Sequence, residues 1–213
     1  MATEPHLHTC LVSYKRRPLT ERTLESYLET VTVSHSLVIV DNGSPPDVTD
    51  WLRSLDVDVV LLPENRYPGY ATNRGWDWVP AETTLYQRLD NDARLLPGWC
   101  DGMLEAFADP QVGQYGLTAE GCERWTSRPG WPVGGFSIIR SELYDAGLRY
   151  DERPWSPDWP GEDTPFTQEV LARGYRRVFS ARPALEYLDD GDFGYRTVTH
   201  VARGLTPKSW GEG

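Results

Sequence analysis

From residue 8 to residue 107 the chain alternates short β-prone runs with stretches of helical periodicity, which restricts the fold more than any other feature. "HTCLVSY" (8–14) is a first strand. In "RPLTERTLESYLETV" (17–31) Leu19, Leu24, Tyr27, Leu28 and Val31 fall on one helical face, with Pro18 suited to the first turn. "HSLVIVD" (35–41) is a second strand closed by the turn signal "NGSPPD", and Val48, Trp51, Leu52 and Leu55 mark the next helix. "VDVVLLP" (57–63) is a third strand and "YATNRGWDWV" (70–79) a helix with Trp76 and Val79 inward. "TTLYQRLD" (83–90) and the helix "PGWCDGMLEAF" (97–107), with Trp99, Met103, Leu104 and Phe107 in register, repeat the unit. Such repetition predicts an α/β fold whose mostly parallel central sheet is flanked by helices and joined by right-handed crossovers.

In a parallel sheet the carboxyl ends of the strands share one edge, where open α/β sheets bind ligands. Three strand ends here finish in polar residues: Ser13 and Tyr14, then Asp41, then Asp90 with Asp92. They are distant in sequence yet are predicted to line one crevice. The second half is less regular. "WPVGGFSIIR" (131–140) is a strand with two glycines at its start, and "SELYDAG" (141–147) is a short helix stopped by Gly147. A loop rich in Pro and Trp leads to the helix "DTPFTQEVLARG" (163–174), with Phe166, Val170 and Leu171 inward, and to a last strand at 175–181. Residues 1–213 are expected to form one domain, with a regular half at about 8–118, a second half at about 119–181 and an irregular tail at 182–213.

The formal net charge of −11 argues against a nucleic-acid polymer as partner, because no basic excess exists to displace counterions. A single nucleotide is not excluded, since a metal and a few local donors can meet its charge. Cys10, Cys100 and Cys122 are scattered and form no CxxC pair, which suggests reduced thiols. "MATEPHLHTC" has neither a basic start nor an apolar core, and no apolar run approaches the roughly 20 residues that span a bilayer. The expectation is a soluble, cytoplasmic protein without an integral membrane segment. His6 and His8 lie in this polar N-terminal stretch and are expected to be inconsequential.

Two constellations carry chemistry. Asp90 and Asp92, at i and i+2 of a strand end, project to one side and can address one ion, or one the ion and the other a ribose hydroxyl. Hard oxygen donors suit Mg²⁺ or Mn²⁺, which take one or two carboxylates and complete their shell with phosphates; a plain Asp-Asn-Asp turn is the bland alternative. Glu162 and Asp163 stand where a loop becomes a helix. Acids belong there on dipole grounds alone, but a general base presented into the crevice also fits.

In sequence order, "LVSYKR", "VIVDNGSPPD", "NRYPGYATNRGWD", "LDNDA", "GGFSIIRSELYDAG" and "GEDTPFTQEVLARGYR" resemble the motifs of the family 2 inverting glycosyltransferases, from about residue 9 to 180. The resemblance implies a GT-A-type, Rossmann-like sandwich and transfer of a sugar from a nucleotide-sugar, with a UDP-sugar as the default donor. By this resemblance Ser13, Tyr14, Asp41, Gly69, Asn73, Arg74 and Asp90 belong to the donor site. Asp90 and Asp92 form the metal-binding DxD; the family often has a further histidine near its end that helps hold the metal or diphosphate, and His200, which no motif aligns, is the candidate for it in this tail. Asp163, with Glu162, is the base, and Gly135 lies in the segment that approaches the acceptor, which is a carbohydrate, a small molecule or a protein side chain; Trp155 and Trp159 are expected there because flat aromatic faces suit a sugar ring and their proline-bracketed loop abuts "GED". Two positions depart from the pattern: Pro165 stands where an acid is common and Glu169 where an arginine is common. The alternatives are a nucleotidyltransferase that makes a nucleotide-sugar, and a non-catalytic sugar-binding protein on the same fold. The first is disfavoured because "SYKRRPLTER" has no glycine.

Overall fold

A computed structural model describes residues 4–80, 82–122, 131–153 and 161–188. The elements are β1 His6–Ser13, α1 Arg17–Thr30, β2 Ser34–Asp41, α2 Pro46–Arg53, β3 Asp58–Leu61, α3 Tyr67–Trp76, β4 Leu85–Asp90, β5 Ala93–Leu95, α4 Trp99–Phe107 and β6 Val112–Gly116. They continue with β7 Ser137–Arg140, α5 Ser141–Asp145, α6 Asp163–Ala172, β8 Arg176–Phe179 and β9 Leu185–Tyr187. The main sheet has the order β3-β2-β1-β4-β7-β6-β8. Every neighbouring pair is parallel except those made by β7, which runs against both β4 and β6.

The period-2 alternation of strand side chains divides the core in two. Leu7, Leu11, Ile39, Leu85 and Leu89 face one layer, where Leu24 and Tyr27 of α1, Leu52 of α2 and Trp99 and Met103 of α4 cover them. Cys10, Val12, Val38, Val40 and Tyr86 face the other, against Ala71 and Trp76 of α3, Leu143 of α5 and Phe166 and Val170 of α6. A strand covered on both faces must be apolar throughout or find partners for every polar group. β1 is buried over its whole length and does both. His6, set aside in the sequence as inconsequential, bonds Ser34 Oγ through Nδ1 at 2.8 Å. His8 bonds Ser36 Oγ through Nδ1 at 2.8 Å and donates from Nε2 to the Gly75 carbonyl at 3.0 Å. These histidines are core residues that stitch β1 to β2 and α3, and burial lowers the His8 pKa, favouring the neutral ring.

Other expectations shift. The helix expected at 70–79 begins earlier, at Tyr67, and stops at Trp76, so Val79 is exposed; Leu28, Leu104 and Leu171 also face outward. The strand expected over 131–140 is confined to Ser137–Arg140. β9 lies inside the stretch expected to be an irregular tail, paired with β5 just after the Asp90–Asp92 turn. The three cysteines are free thiols, Cys10 and Cys100 buried and Cys122 half-buried. Among the described residues no helix is long and apolar enough to cross a membrane.

Candidate active site

The carboxyl ends of β1, β2 and β4 come together as the parallel register requires, with Ser13 opposite Asp41 and Val12 opposite Asp90. Ser13 is buried; its carbonyl accepts the Asn42 N–H at 2.7 Å, and its Oγ lies 3.3 Å from Thr20 Oγ1. The chain then leaves β1 through half-buried Tyr14 and two consecutive non-glycine residues in the left-handed region, Lys15 (φ 53°) and Arg16 (φ 48°). Such residues cost on the order of 1–3 kcal/mol each and persist where their surroundings enforce them. Here the Lys15 N–H donates to Ser44 Oγ at 2.7 Å, and Arg16 is carried to 3.9 Å from Asp92.

Asp41 closes β2 in a fully buried position. Its Oδ2 accepts the Ser44 N–H at 2.8 Å, whereas Oδ1 is buried with no hydrogen-bond partner among the described residues. A buried acceptor without a donor is costly and rare.

Arg88 lies two residues before Asp90 on the same face of β4, and its side chain is only 2 % exposed. Its guanidinium donates from Nε to Asp90 Oδ1 at 2.9 Å and from Nη2 to Asp90 Oδ2 at 3.2 Å. From Nη1 it donates to Asp163 Oδ1 at 3.0 Å and pairs with Glu162 Oε1 at 3.0 Å. The Asp90 and Asp163 side chains are each 30 % exposed. Burial works against the Arg88 charge, but the carboxylates of Asp90, Asp163 and Glu162 outweigh it and hold the pKa well above its ordinary value. Burial likewise raises the Asp90 carboxyl, and Arg88 offsets part of that rise.

β4 ends at Asp90, and Asp92 belongs to the turn before β5. Asp90 is bound to Arg88, and Asp92 faces Arg16. Asn91 pins the turn by donating from Nδ2 to Thr20 Oγ1 at 2.8 Å, and Asp92 O accepts the Leu188 N–H at 2.8 Å. Among the described residues no group of three His, Cys, Asp or Glu side chains could hold a metal. Two hard carboxylates on this turn still fit a Mg²⁺ or Mn²⁺ that draws the rest of its shell from phosphate and water.

Gly135 serves through its missing side chain: a Cβ there would overlap the Asp90 carboxylate, while Gly135 O accepts the Asp90 N–H at 2.9 Å. Gly134 and Gly135 border a cleft of 460 Å³ that also touches Trp131, Phe136, Asp163 and Tyr187. Trp155, Trp159 and His200, expected at the acceptor and metal sites, lie outside the described residues.

Three residues expected at the donor site have other partners. Gly69 packs so closely on the Asp151 carbonyl that a Cβ would come within 2.5 Å of it. Asn73 is buried and donates from Nδ2 to Tyr150 O and Glu152 Oε1, both at 2.9 Å, while its Oδ1 accepts the Tyr150 N–H at 3.0 Å. That commits both amide hydrogens and the carbonyl to the segment 150–152, so Asn73 drops out of the donor set proposed below. Arg74 pairs at the surface with Asp77 at 3.2 Å and Glu152 at 3.4 Å. Conversely, sequence reasoning passed over Arg88, Arg16 and Tyr187. Only Arg88 carried a signal, as a charged residue inside an otherwise buried strand.

Solved structures share this architecture. The mannosyltransferase PcManGT from Pyrobaculum calidifontis, in complex with GDP-Man and Mn²⁺, superposes with a TM-score of 0.72 at 16 % identity over 94 % of this chain and 62 % of its own. S. aureus TarS 1–349 gives 0.65 at 17 % identity over 86 % and 60 %, and its complex with UDP-GlcNAc gives 0.66 at 16 % identity over 86 % and 58 %. At these identities the likeness establishes the GT-A fold. The Mycobacterium tuberculosis protein MT1568 is 31 % identical over 112 residues, which is 52 % of this chain but 35 % of that protein, so the chain spans about a third of this curated relative. The sequence pattern described as glycosyl transferase family 2 matches residues 9–152, from β1 through the Asp90–Asp92 turn to the segment that Asn73 braces, and ends before Glu162. The edge where Ser13, Asp41, Asp90 and Asp92 meet therefore falls wholly inside the matched stretch, and the chain belongs to glycosyl transferase family 2.

Proposed function

We propose that this protein transfers a sugar from a nucleotide-sugar to an acceptor hydroxyl with inversion at the anomeric carbon. The observation that carries the reading is that the parallel register brings Asp41 and Asp90 to one sheet edge, and that one guanidinium, Arg88, joins Asp90 to Asp163 at the start of α6. Asp41 Oδ1 accepts from the base or ribose of the donor, which satisfies the acceptor left unpartnered in the free protein. Asp90, held by Arg88, lines the ribose side. Asp92, with Asp90 beside it, would hold a Mn²⁺ or Mg²⁺, which when bound offsets the charge of the leaving diphosphate. UDP is the default nucleotide; relatives of this fold are bound to UDP-GlcNAc in one case and to GDP-Man in another.

Asp163 is the base. It stands at the first position of α6, facing the cleft beside Gly134 and Gly135. The acceptor oxygen bonds to the anomeric carbon as the bond from that carbon to the diphosphate oxygen breaks. Its proton passes to Asp163, and the electron pair departs with the nucleoside diphosphate. One displacement inverts the centre, so no covalent sugar–protein intermediate is required. The cleft is of the size that small ligands occupy. Trp131 and Tyr187, half-exposed on its wall, present flat faces suited to the apolar face of a sugar acceptor.

Calorimetric titration with UDP and GDP, each with and without Mn²⁺, tests the reading. Metal-dependent binding of one nucleotide is expected, and Asp92→Ala is expected to abolish the metal dependence. Asp41→Asn puts a donor where the site needs an acceptor. It is expected to weaken the nucleotide by roughly 10–100-fold, the worth of one hydrogen bond to a charged group. If neither nucleotide binds the wild-type protein with or without metal, the "DND" stretch is a turn and the reading falls.

A further inference from the structure

We propose that Arg88 is a positioning residue that fixes the base Asp163 relative to the donor-binding Asp90, an inference that rests on the function proposed above. Asp90 ends a strand of the sheet, Asp163 begins a helix 73 residues later, and the shared guanidinium is the link between them. The Nε–Nη2 edge grips Asp90 through both oxygens, while Nη1 reaches Glu162 and Asp163. Only a planar fork of donors can span that set; a lysine ammonium is a single point and cannot.

The guanidinium is itself held in place. Its carbon lies 5.2 Å from the centre of the Tyr150 ring, and that ring stacks on Phe166 of α6 at 3.9 Å with planes 8° apart. The Tyr150 backbone is gripped on both its N–H and its carbonyl by Asn73 of α3. A chain of contacts thus runs from α3 through Tyr150 and Arg88 to the two carboxylates. A buried cation is a poor device for stability alone, because apolar side chains of similar volume fill such a place at no loss. Arg88 is covered to 2 %, yet Asp90 and Asp163 are each 30 % exposed, so it backs two groups whose other sides reach the crevice. Three acids around one arginine leave the cluster anionic, a suitable setting for a base and for a cation arriving with the donor.

The experiment uses the full chain, with Arg88→Lys to keep the charge and Arg88→Met to remove it. UDP-GlcNAc and GDP-Man are the donors, and their slow hydrolysis by water removes any need to know the acceptor. Turnover is expressed per nucleotide-binding site counted by calorimetry, so misfolded protein is discounted. For Arg88→Lys the expected result is nucleotide affinity within about fivefold of wild type and turnover per site lower by roughly 10²-fold, within the range ascribed to an aligned base. Adding Arg88→Lys to Asp163→Asn should cost less than about threefold more, since a group that acts through another loses its effect when that other is gone. Wild-type turnover per site in Arg88→Lys, with fewer sites, would make Arg88 structural and overturn the inference. So would full additivity with Asp163→Asn. If Arg88→Met does not fold, Arg88→Lys and the cycle still decide. Absence of nucleotide binding by the wild type would instead sink the function on which the inference rests, so the two failures are told apart.

Discussion

Asp163→Asn is expected to lower turnover of the nucleotide-sugar by roughly 10²–10⁴-fold, the usual worth of a general base, and to leave nucleotide affinity within about threefold. The substitution is nearly isosteric, and the amide oxygen can still accept from Arg88 Nη1, which now meets Asp163 Oδ1 at 3.0 Å. What disappears is the capacity to take a proton, together with a negative charge in the first turn of α6 worth about 0.3–1 kcal/mol to the helix. Glu162 stands next to it and resembles a second candidate by sequence alone. Both pair with Arg88 Nη1 at 3.0 Å, but the Glu162 side chain is 10 % exposed, whereas Asp163 is 30 % exposed and borders the cleft. Glu162→Gln should therefore cost at least tenfold less than Asp163→Asn in the same assay. Measuring turnover and calorimetric affinity on both variants checks the assignment. A loss under tenfold in Asp163→Asn, or the larger loss in Glu162→Gln, would remove Asp163 from its role.

The sheet was legible in the sequence because burial on both faces imposes an unmistakable pattern. Runs such as "HSLVIVD" have no polar face, and each is followed by a helix whose apolar positions are spaced for one layer. The convergence of Ser13, Asp41 and Asp90 on one edge followed from parallelism alone, and the register bears it out. The reversed direction of β7 was not legible, since strand composition is blind to orientation. Nor was β9, a strand of three residues paired with β5 and bridged to Ala119. At the site, "DND" did not reveal its surroundings: the strand ends at Asp90, and Asp92, in the turn beyond it, lies 3.9 Å from Arg16. Asn73 is ambiguous in sequence for a related reason. A buried amide looks the same in sequence whether it serves a ligand or a neighbouring backbone, and here the backbone of Tyr150 takes it. Arg88 is the instructive omission. An arginine within "TLYQRLD" demands partners, and among the described residues it finds them in Asp90, Glu162 and Asp163.

That dependence of the site on close packing yields the second large effect, at Gly135. A methyl group there would occupy the space of the Asp90 carboxylate, so either the turn before β7 shifts or Asp90 rotates away from Arg88. The Asp90 N–H bond to Gly135 O resists the first course, because it fixes the turn against the end of β4. The second breaks two charge-assisted bonds and leaves Arg88 with Glu162 and Asp163 alone. Asp90 is partly exposed, so water recovers some of the loss, and a destabilisation of about 1–3 kcal/mol is expected. For a chain of this size that is a fall in Tm of roughly 2–12 °C. The functional loss should be larger, at least about 10²-fold in kcat/KM for the donor, because the displaced group holds the ribose side while its partner aligns the base. Gly134→Ala is the matched control. Its Cβ would lie 3.7 Å from Asp163 Oδ2, an ordinary contact, so both Tm and turnover should stay near wild type. Thermal unfolding and donor turnover of the two alanine variants decide the matter. Equal losses at both positions would mean that the turn tolerates no side chain at all, and wild-type turnover in Gly135→Ala would mean that the placement of Asp90 against Arg88 has no part in the reaction.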